Sequence, residues 1–148
     1  MQHADGGQAG LFARKIPVVE LESMEGQMAL FGAMSPADQC RFLEDGVASI
    51  EDQEQSQEAR EIANAWRTAD AVAFEKLAAK AAQDPSFAAQ FVQTVLLDGR
   101  NPALADGIAK LLAREKSSLA AIGVLHLVGA KSVPDLLRKK GLKVERVY

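Results

Sequence analysis

An apolar stretch near the C-terminus constrains the fold of this chain more than any other feature of its sequence. Residues 119–129 are small or branched apolar residues, with Gly123, His126 and Gly129 following one another at intervals of three. A short run of this composition, interrupted by glycine, is typical of a buried strand. We therefore predict a strand over residues 119–123, with His126 just past its end, where open α/β sheets place their functional groups.

His126 supports two interpretations. A neutral imidazole is the commonest metal ligand in proteins and titrates close to physiological pH, which favours a functional site. A single histidine in apolar surroundings can equally be a core residue whose ring nitrogens are hydrogen-bonded. Gly123 and Gly129 can likewise be turn residues that allow the chain to bend. The spacing of these three residues leaves both interpretations open.

The remaining patterns predict an α-dominated α/β fold. Residues 16–21 form a short run rich in branched apolar side chains, which is typical of a strand. Residues 143–147 largely alternate between polar and apolar, which is typical of a strand with one solvent-exposed face. A helix over residues 132–140, closed by Gly141, precedes that last strand. We predict five or six helices between the first strand and the strand over residues 119–123.

Capping residues predict where helices start, and the spacing of apolar residues predicts which helix faces are buried. Ser35, Asp84 and Asn101 each stand before a proline, which predicts that they cap helices whose first position is that proline. Apolar residues at helical spacing then predict the inward faces. The predicted core residues discussed below are Phe42, Leu43, Ala59, Ile62, Ala63, Trp66, Val72, Phe74, Leu104, Ile108 and Leu112.

Length and charge narrow the class of protein. The chain has 148 residues, the length of one ordinary domain, and we predict a flexible tail over residues 1–14 followed by a single domain over residues 15–148. Its 17 basic and 20 acidic residues give a net charge of −3, which predicts no nucleic-acid partner. The sequence shows neither a signal peptide nor a transmembrane segment, and it does not indicate a cellular compartment. Cys40 is the single cysteine, so no internal disulfide forms.

The sequence lacks the common catalytic motifs. It contains no phosphate-binding glycine loop, no His-Glu-x-x-His, no paired zinc cysteines and no Gly-x-Ser-x-Gly. Carboxylates are available, and Glu22 follows the predicted strand over residues 16–21. If that strand lies beside the strand that leads to His126, the carboxylate and the imidazole lie at neighbouring strand ends. The alternative is that Glu22 stabilises the N-terminus of the following helix, where the helix dipole favours negative charge.

Several segments together resemble one family. Residues 99–105 carry an Arg-Asn pair at a helix start, residues 121–129 carry Gly-x-x-His-Leu-x-Gly, and residues 141–144 carry Gly-Leu-x-Val. Upstream, residues 21–28 contain Leu-Glu-Ser followed by Gln-Met, and residues 65–70 read Ala-Trp-Arg-Thr-Ala-Asp. In this order and spacing, residues 15–148 resemble the C-terminal half of the TraB/GumN family, which is related to the Tiki proteins.

The resemblance implies a metal-dependent, peptidase-like hydrolase on half of the family's scaffold. It implies zinc, manganese or cobalt as cofactor, Glu22 and His126 as metal ligands, and Glu22, Arg100 and His126 as catalytic residues. Arg100 would hold a carboxylate or a developing anion, and Glu22 could instead act as general base. The family carries a second Gly-x-x-His, which has no counterpart in residues 1–15, so we expect weak or no metal affinity in this chain. The matching positions are Glu22, Arg100, Asn101, Gly123, His126 and Gly129, the two glycines and Asn101 being structural.

Two functions of different class follow. In the first, the chain is a hydrolase acting on a peptide or protein, and either a homodimer or a missing N-terminal half completes the site. In the second, the chain is a non-catalytic binding or structural module that holds a partner on an exposed sheet edge or helical groove. We predict a homodimer, because half of a scaffold should expose an apolar sheet edge. We also predict that Glu22, Arg100 and His126 converge on one pocket.

Overall fold

The computed structural model describes residues 16–115 and 117–147, and these residues form helices joined by extended segments and turns. Six helices precede the His126 segment, which agrees with the predicted number, and a seventh follows it. Their bounds are α1 Met24–Gly32, α2 Pro36–Glu51, α3 Glu54–Arg67, α4 Ala71–Gln83, α5 Phe87–Phe91, α6 Asn101–Arg114 and α7 Val133–Lys139. A π-helical segment, Val92–Asp98, continues α5, and a 3-10 turn, Val124–Leu127, carries the histidine. The predicted tail over residues 1–14 lies outside the described residues.

The α/β prediction was wrong, because the described residues contain no strand. The segments predicted as strands, residues 16–21, 119–123 and 143–147, run without a backbone ladder to one another. A strand exists only when a neighbouring backbone accepts and donates its hydrogen bonds, and composition cannot supply that neighbour. Leu21, Ile122 and Val144 nevertheless pack against the same helical core. The three segments therefore pack against one helical core through side chains and do not form a sheet.

Serine and aspartate side chains start most of the helices. The side chains of Ser23, Ser35, Asp70 and Ser132 accept hydrogen bonds from backbone N–H groups in the first turns of α1, α2, α4 and α7. The prediction for Ser35 was therefore correct, whereas those for Asp84 and Asn101 were wrong. Ser86 caps α5 instead of Asp84. Asn101 is the first residue of α6, and no side chain caps that helix, so the Asn101 amide is available for other partners.

The most buried apolar cluster lies where α6 and α7 cross. Leu104, Ala105, Val133 and Leu137 are between 0% and 7% exposed. Ile108, Leu136 and Leu142 pack around them. This cluster confirms the inward positions predicted for Leu104 and Ile108 of α6, whereas Leu112, predicted on the same face, is 47% exposed. It also places the starts of both helices, which carry the polar residues described below, side by side.

The helices of the N-terminal half bury far less. Phe31, Phe42 and Phe91 form an aromatic cluster between α1, α2 and α5, with ring centroids 5.5–6.0 Å apart, and Ala65 and Phe74 are buried. Five predicted core residues of these helices are exposed instead: Leu43 by 66%, Trp66 by 69% and Val72 by 63%, together with Ala59 and Ala63. Their spacing identified an apolar face correctly, but nothing in the described residues covers that face.

None of the described helices is long and apolar enough to cross a membrane.

Candidate functional site

A π-helical turn sets up the centre of the candidate site. At its end the N–H of Gly99 donates to the carbonyl of Thr94, five residues back, at 3.0 Å. A Cβ at Gly99 would lie 2.9 Å from the carbonyl oxygen of Val95, so only glycine fits without a shift. Wide turns of this kind insert an extra residue into a helix and change the direction of the side chains that follow. Here those residues are Arg100 and Asn101.

Arg100 and Glu22 form a two-pronged ion pair across 78 positions of sequence. The Nε of Arg100 donates to Oε1 of Glu22 at 2.8 Å, and Nη2 donates to Oε2 at 2.5 Å. Both side chains are mostly buried, at 18% and 22% exposure. A third donor, Nη1, reaches the carbonyl of Leu96 at 3.3 Å. The paired geometry matches the guanidinium fork to the carboxylate, which is the strongest form of such a contact.

The ion pair shifts the pKa of both partners. The hydrogen bonds from Arg100 hold the pKa of the Glu22 carboxyl below its usual value, although partial burial opposes them. The same hydrogen bonds raise the pKa of the Arg100 guanidinium. Glu22 therefore stays an anion, with both of its oxygens occupied by Arg100. The structure also shows that Glu22 is not a helix cap, because Ser23 caps α1.

Asn101 and His126 form the second half of the site. The amide nitrogen of Asn101 donates to the backbone carbonyl of Lys131 at 2.8 Å. Its oxygen therefore faces Nδ1 of His126, at 2.6 Å. An amide oxygen can only accept, so Nδ1 must carry the proton. In the neutral ring the lone pair then belongs to Nε2.

The Nε2 atom of His126 is the free end of this arrangement. His126 as a whole is 7% exposed, yet its Nε2 makes no hydrogen bond to a described residue and is not among the buried atoms that lack a partner. We therefore place Nε2 within reach of solvent. Burial lowers the pKa of His126, the positive charge of Arg100 lowers it further, and the negative charge of Glu22 partly opposes both. The ring is neutral at physiological pH, with an accepting nitrogen.

The loop after His126 holds Asn101 in place. Nζ of Lys131 forms an ion pair with Oδ2 of Asp98 at 2.9 Å, and Nε2 of Gln93 donates to the other oxygen of Asp98 at 3.0 Å. Gly129 adopts a φ of +86°, which favours glycine and turns the loop back toward α7. These contacts fix the carbonyl of Lys131 that the Asn101 amide uses.

The structure brings the predicted site residues into two neighbouring pairs. Glu22 bonds Arg100, Asn101 bonds His126, and the adjacency of Arg100 and Asn101 in the chain joins the pairs. No direct hydrogen bond links the two pairs, which interact through their charges. Their catalytic and metal-binding roles stay predictions. A Cβ at position 123 would meet the His126 ring at an ordinary contact distance of 3.6 Å, so the backbone does not demand glycine there.

Sequence reasoning missed the residues that orient this site. Asp98 and Gly99 together form an Asp-Gly dipeptide, which is a turn signal and could have marked the end of the π-helical segment. The backbone carbonyl of Lys131 has no signature in sequence. Its part in the site is visible only once the loop and α6 are placed together.

An open cleft of about 480 Å³ adjoins the Asn101 side of the site. Its walls come from α3, α4, the π-helical segment and the His126 loop, and include Ile62, Leu97, Asn101, Leu125 and Val128. His126, Arg100 and Glu22 do not line it. The cleft offers a mostly apolar surface next to the residue that orients the imidazole.

Within residues 16–115 and 117–147, no group of three or more His, Cys, Asp or Glu side chains is arranged to hold a metal ion. A catalytic zinc site uses about three protein ligands. The described residues offer one accepting imidazole nitrogen, and the nearest carboxylate is occupied by Arg100. They therefore do not fit a complete metal site by themselves.

The candidate site therefore consists of two parts in a helical domain. One is an arginine–carboxylate ion pair, and the other is an imidazole oriented by an amide. The family model for the TraB/PrgY/gumN family matches residues 9–146. Since the match spans most of the sequence, the chain belongs to the TraB/PrgY/gumN family, as its motifs predicted. Comparisons with curated proteins and with solved structures found no match.

Proposed function

We propose that this chain is a peptidase-like hydrolase in which His126 is the proton-accepting group. One observation carries the proposal: Asn101, oriented by the Lys131 carbonyl, holds the Nδ1–H of His126 and leaves the Nε2 lone pair toward solvent. Histidines that act as general bases or metal ligands commonly donate a hydrogen bond from one ring nitrogen to an oxygen acceptor, which leaves the other nitrogen free to accept a proton or bind a metal.

In this proposal Nε2 takes a proton from the attacking water. The lowered pKa of His126 keeps the imidazole neutral, and therefore able to accept, at physiological pH. The Asn101 oxygen accepts the Nδ1–H and holds the ring still as it becomes charged. Arg100 supplies the positive charge that a developing oxyanion needs, through N–H groups that Glu22 and the Leu96 carbonyl leave unused.

The geometry favours His126 over Glu22 as the base. Both oxygens of Glu22 accept from Arg100, and its pKa lies below the usual value. A carboxylate in that state accepts a proton poorly. We propose instead that Glu22 orients the Arg100 guanidinium and tunes the pKa of His126.

A divalent metal could take part only if other residues or another chain supplied most of its ligands. Metal binding would be an alternative to proton acceptance, because both use the Nε2 lone pair of His126. Zinc, manganese or cobalt would bind there, with the remaining ligands coming from outside the described residues. When bound, such an ion would lower the pKa of its water and polarise a carbonyl. The roles given to Asn101, Arg100 and Glu22 do not depend on it.

A non-catalytic binding module is the second candidate function. The observation that favours it is the exposed apolar surface of the N-terminal helices, where Leu43, Trp66 and Val72 are each more than half exposed. Large apolar side chains that stay exposed form interaction sites where they adjoin one another. In this alternative the Asn101–His126 pair only fixes the loop against α6.

Peptide cleavage and metal titration separate the two functions. The wild type, His126→Ala and Asn101→Ala are incubated with a mixture of unstructured peptides, and zinc or manganese chloride is titrated into each by calorimetry. The hydrolase proposal expects cleavage by the wild type that His126→Ala abolishes and Asn101→Ala weakens. It expects at most a weak metal heat, which His126→Ala removes. Absence of cleavage in all three proteins, with identical heats in the wild type and His126→Ala, contradicts the hydrolase and leaves the binding module. Circular dichroism confirms that the variants fold.

A further inference from the structure

The helix α2 exposes a line of apolar side chains to solvent and turns Phe42 and several polar residues toward the protein. Asp38, Phe42, Asp45 and Ser49 lie on the partly buried side, where Phe42 joins the aromatic cluster and Asp45 accepts from the N–H of Ala88 at 2.9 Å. On the opposite side Leu43 is 66%, Val47 54% and Ile50 63% exposed. An amphipathic helix normally faces the other way.

The exposed side of α2 repeats at the spacing of a coiled-coil seam. Cys40, Leu43, Val47 and Ile50 follow one another at steps of three, four and three residues. These are the steps between the a and d positions of a heptad, with Cys40 and Val47 at a and Leu43 and Ile50 at d. A valine at a beside a leucine at d favours two parallel strands. Cys40 is a free, exposed thiol at the start of the same line.

We propose that this line, the α2 seam of Cys40, Leu43, Val47 and Ile50, pairs with the α2 seam of a second copy in a parallel dimer. The inference is independent of the proposed function. Self-pairing requires a patch that complements itself about a two-fold axis, and a parallel heptad seam does so. The partly buried side of α2 lies opposite the seam, so the body of the protein leaves room for the second helix.

The residues beside the seam select the parallel arrangement. Glu44 and Glu51 occupy the flanking e positions, and Gln39 and Gly46 occupy g. A parallel pair sets g against e of the partner helix, which brings Gln39 to a glutamate as a hydrogen-bond donor and Gly46 to the other glutamate without a charge. An antiparallel pair would instead set the two glutamates against each other, and like charges in contact are destabilising.

The number of exposed apolar side chains favours a partner that covers some of them. Among the described residues, seven apolar side chains are buried and fourteen large ones are exposed. The seam holds three of these exposed side chains on one face of one helix. A seam of two heptads is short, so we expect a dimer that forms in the micromolar range rather than a permanent one.

Matched valine substitutions test the seam. Val47→Glu places a carboxylate at the centre of the seam, and Val72→Glu makes the same change at an equally exposed valine of α4. Sedimentation equilibrium of the full chain over a range of concentrations measures the dimer dissociation constant of each protein. We expect Val47→Glu to weaken the dimer about tenfold or more, since an unpaired charge is costly at a packed apolar position, and Val72→Glu to leave it unchanged.

Cys40 reports the direction of the pair. In a parallel dimer the two Cys40 thiols meet across the first layer, so mild oxidation should give a disulfide-linked dimer on a non-reducing gel. Val47→Glu should reduce that product, and Cys40→Ser should lack it. A wild type that stays monomeric, or one whose dimer resists Val47→Glu, overturns the seam. The variant Ile50→Cys tests the direction further. A disulfide from Cys40 to position 50 of the second copy, in a dimer that Val47→Glu disrupts, overturns the parallel arrangement.

Discussion

The N-terminal helices and the C-terminal part of this protein differ in how tightly their side chains are packed and paired. From the π-helical segment onward, polar side chains find partners across long stretches of sequence, and Leu104, Ala105 and Val133 are at most 2% exposed. In the N-terminal helices, side chains cap α1, α2 and α4. Large apolar side chains on α2, α3 and α4, such as Leu43, Trp66 and Val72, are exposed nevertheless, although Ala65 and Phe74 are buried. The C-terminal end therefore carries the more tightly buried core, whereas the N-terminal helices leave many large apolar side chains uncovered by the described residues.

Matched leucines give the largest test of this contrast. Leu104 is 2% exposed in the α6–α7 core, and Leu43 is 66% exposed on α2. Leu104→Ala should cost about 2–5 kcal/mol of unfolding free energy, because it leaves a cavity. Leu43→Ala in the dilute monomer should change it by about 0.5 kcal/mol or less. Chemical denaturation of both variants measures the difference. Equal losses would show that α2 is packed as tightly as α6.

The ion pair at the site should rank next. Arg100→Met removes charge-assisted hydrogen bonds to a mostly buried Glu22, and we expect a loss of about 1–3 kcal/mol. The control is Lys143→Met, which breaks a pair with Glu145 whose side chains are 84% and 70% exposed. Exposed pairs contribute about 0–1 kcal/mol. Denaturation curves that coincide for the two variants would mean that the Glu22–Arg100 pair does not hold residues 16–23 to α6.

Two glycines, one from each region, should respond with opposite signs. Gly99→Ala forces a Cβ to within 2.9 Å of the Val95 carbonyl oxygen, and a close approach to backbone should cost about 1–3 kcal/mol. Gly46→Ala meets open space in the middle of α2, so it should stabilise the helix by about 0.5–1 kcal/mol. Thermal melting measures both. A neutral Gly99→Ala would contradict the close π-helical turn.

Charge substitutions at the site should shift the His126 pKa in opposite directions. Arg100 lowers that pKa and Glu22 raises it, so Arg100→Met should raise the pKa of His126 and Glu22→Gln should lower it. NMR titration of the imidazole protons measures both. Shifts of the same sign, or none, would place the imidazole outside the field of the pair.

The lowered His126 pKa also sets a direction for stability against pH. The pKa of His126 in the folded protein lies below the ordinary value of 6.5 that the unfolded chain has. The unfolded chain therefore binds the proton first as the pH falls. Stability is therefore fully present above the unfolded pKa and is lost as the pH falls from there toward the folded pKa. Glu22, whose pKa is also lowered, adds a further loss in more acidic solution. In His126→Gln the first loss should disappear while the second stays.

Local chemistry explains which parts of this fold the sequence could predict. Ser35 was recognised as a helix cap, because a cap needs only the next three residues. The same kind of signal was wrong at Asp84 and Asn101. The extended segments failed for the opposite reason, since a strand depends on a neighbour that may lie anywhere in the chain or outside it. Leu43 and Trp66 failed in a related way, because periodicity finds an apolar face but not what covers it.

The candidate site shows the same division. Residue types at Glu22, Arg100, Asn101 and His126 were recognisable from motifs, and the structure brings them into two adjoining pairs. The way they pair was not recognisable. Asn101 looked like a helix cap until the Lys131 carbonyl was found to accept from its amide nitrogen. Contacts through backbone carbonyls carry no residue signature, so they escape sequence reasoning.

The protonation state of the His126 ring tests the central claim most directly. Heteronuclear NMR of the imidazole nitrogens, recorded above the pKa of the ring, distinguishes the two neutral tautomers in the folded chain. The account predicts that Nδ1 carries the proton and Nε2 the lone pair, and that Asn101→Leu abolishes this preference while Asn64→Leu on α3 does not. A proton on Nε2 in the wild type would contradict the orientation of Asn101 and the accepting role proposed for His126.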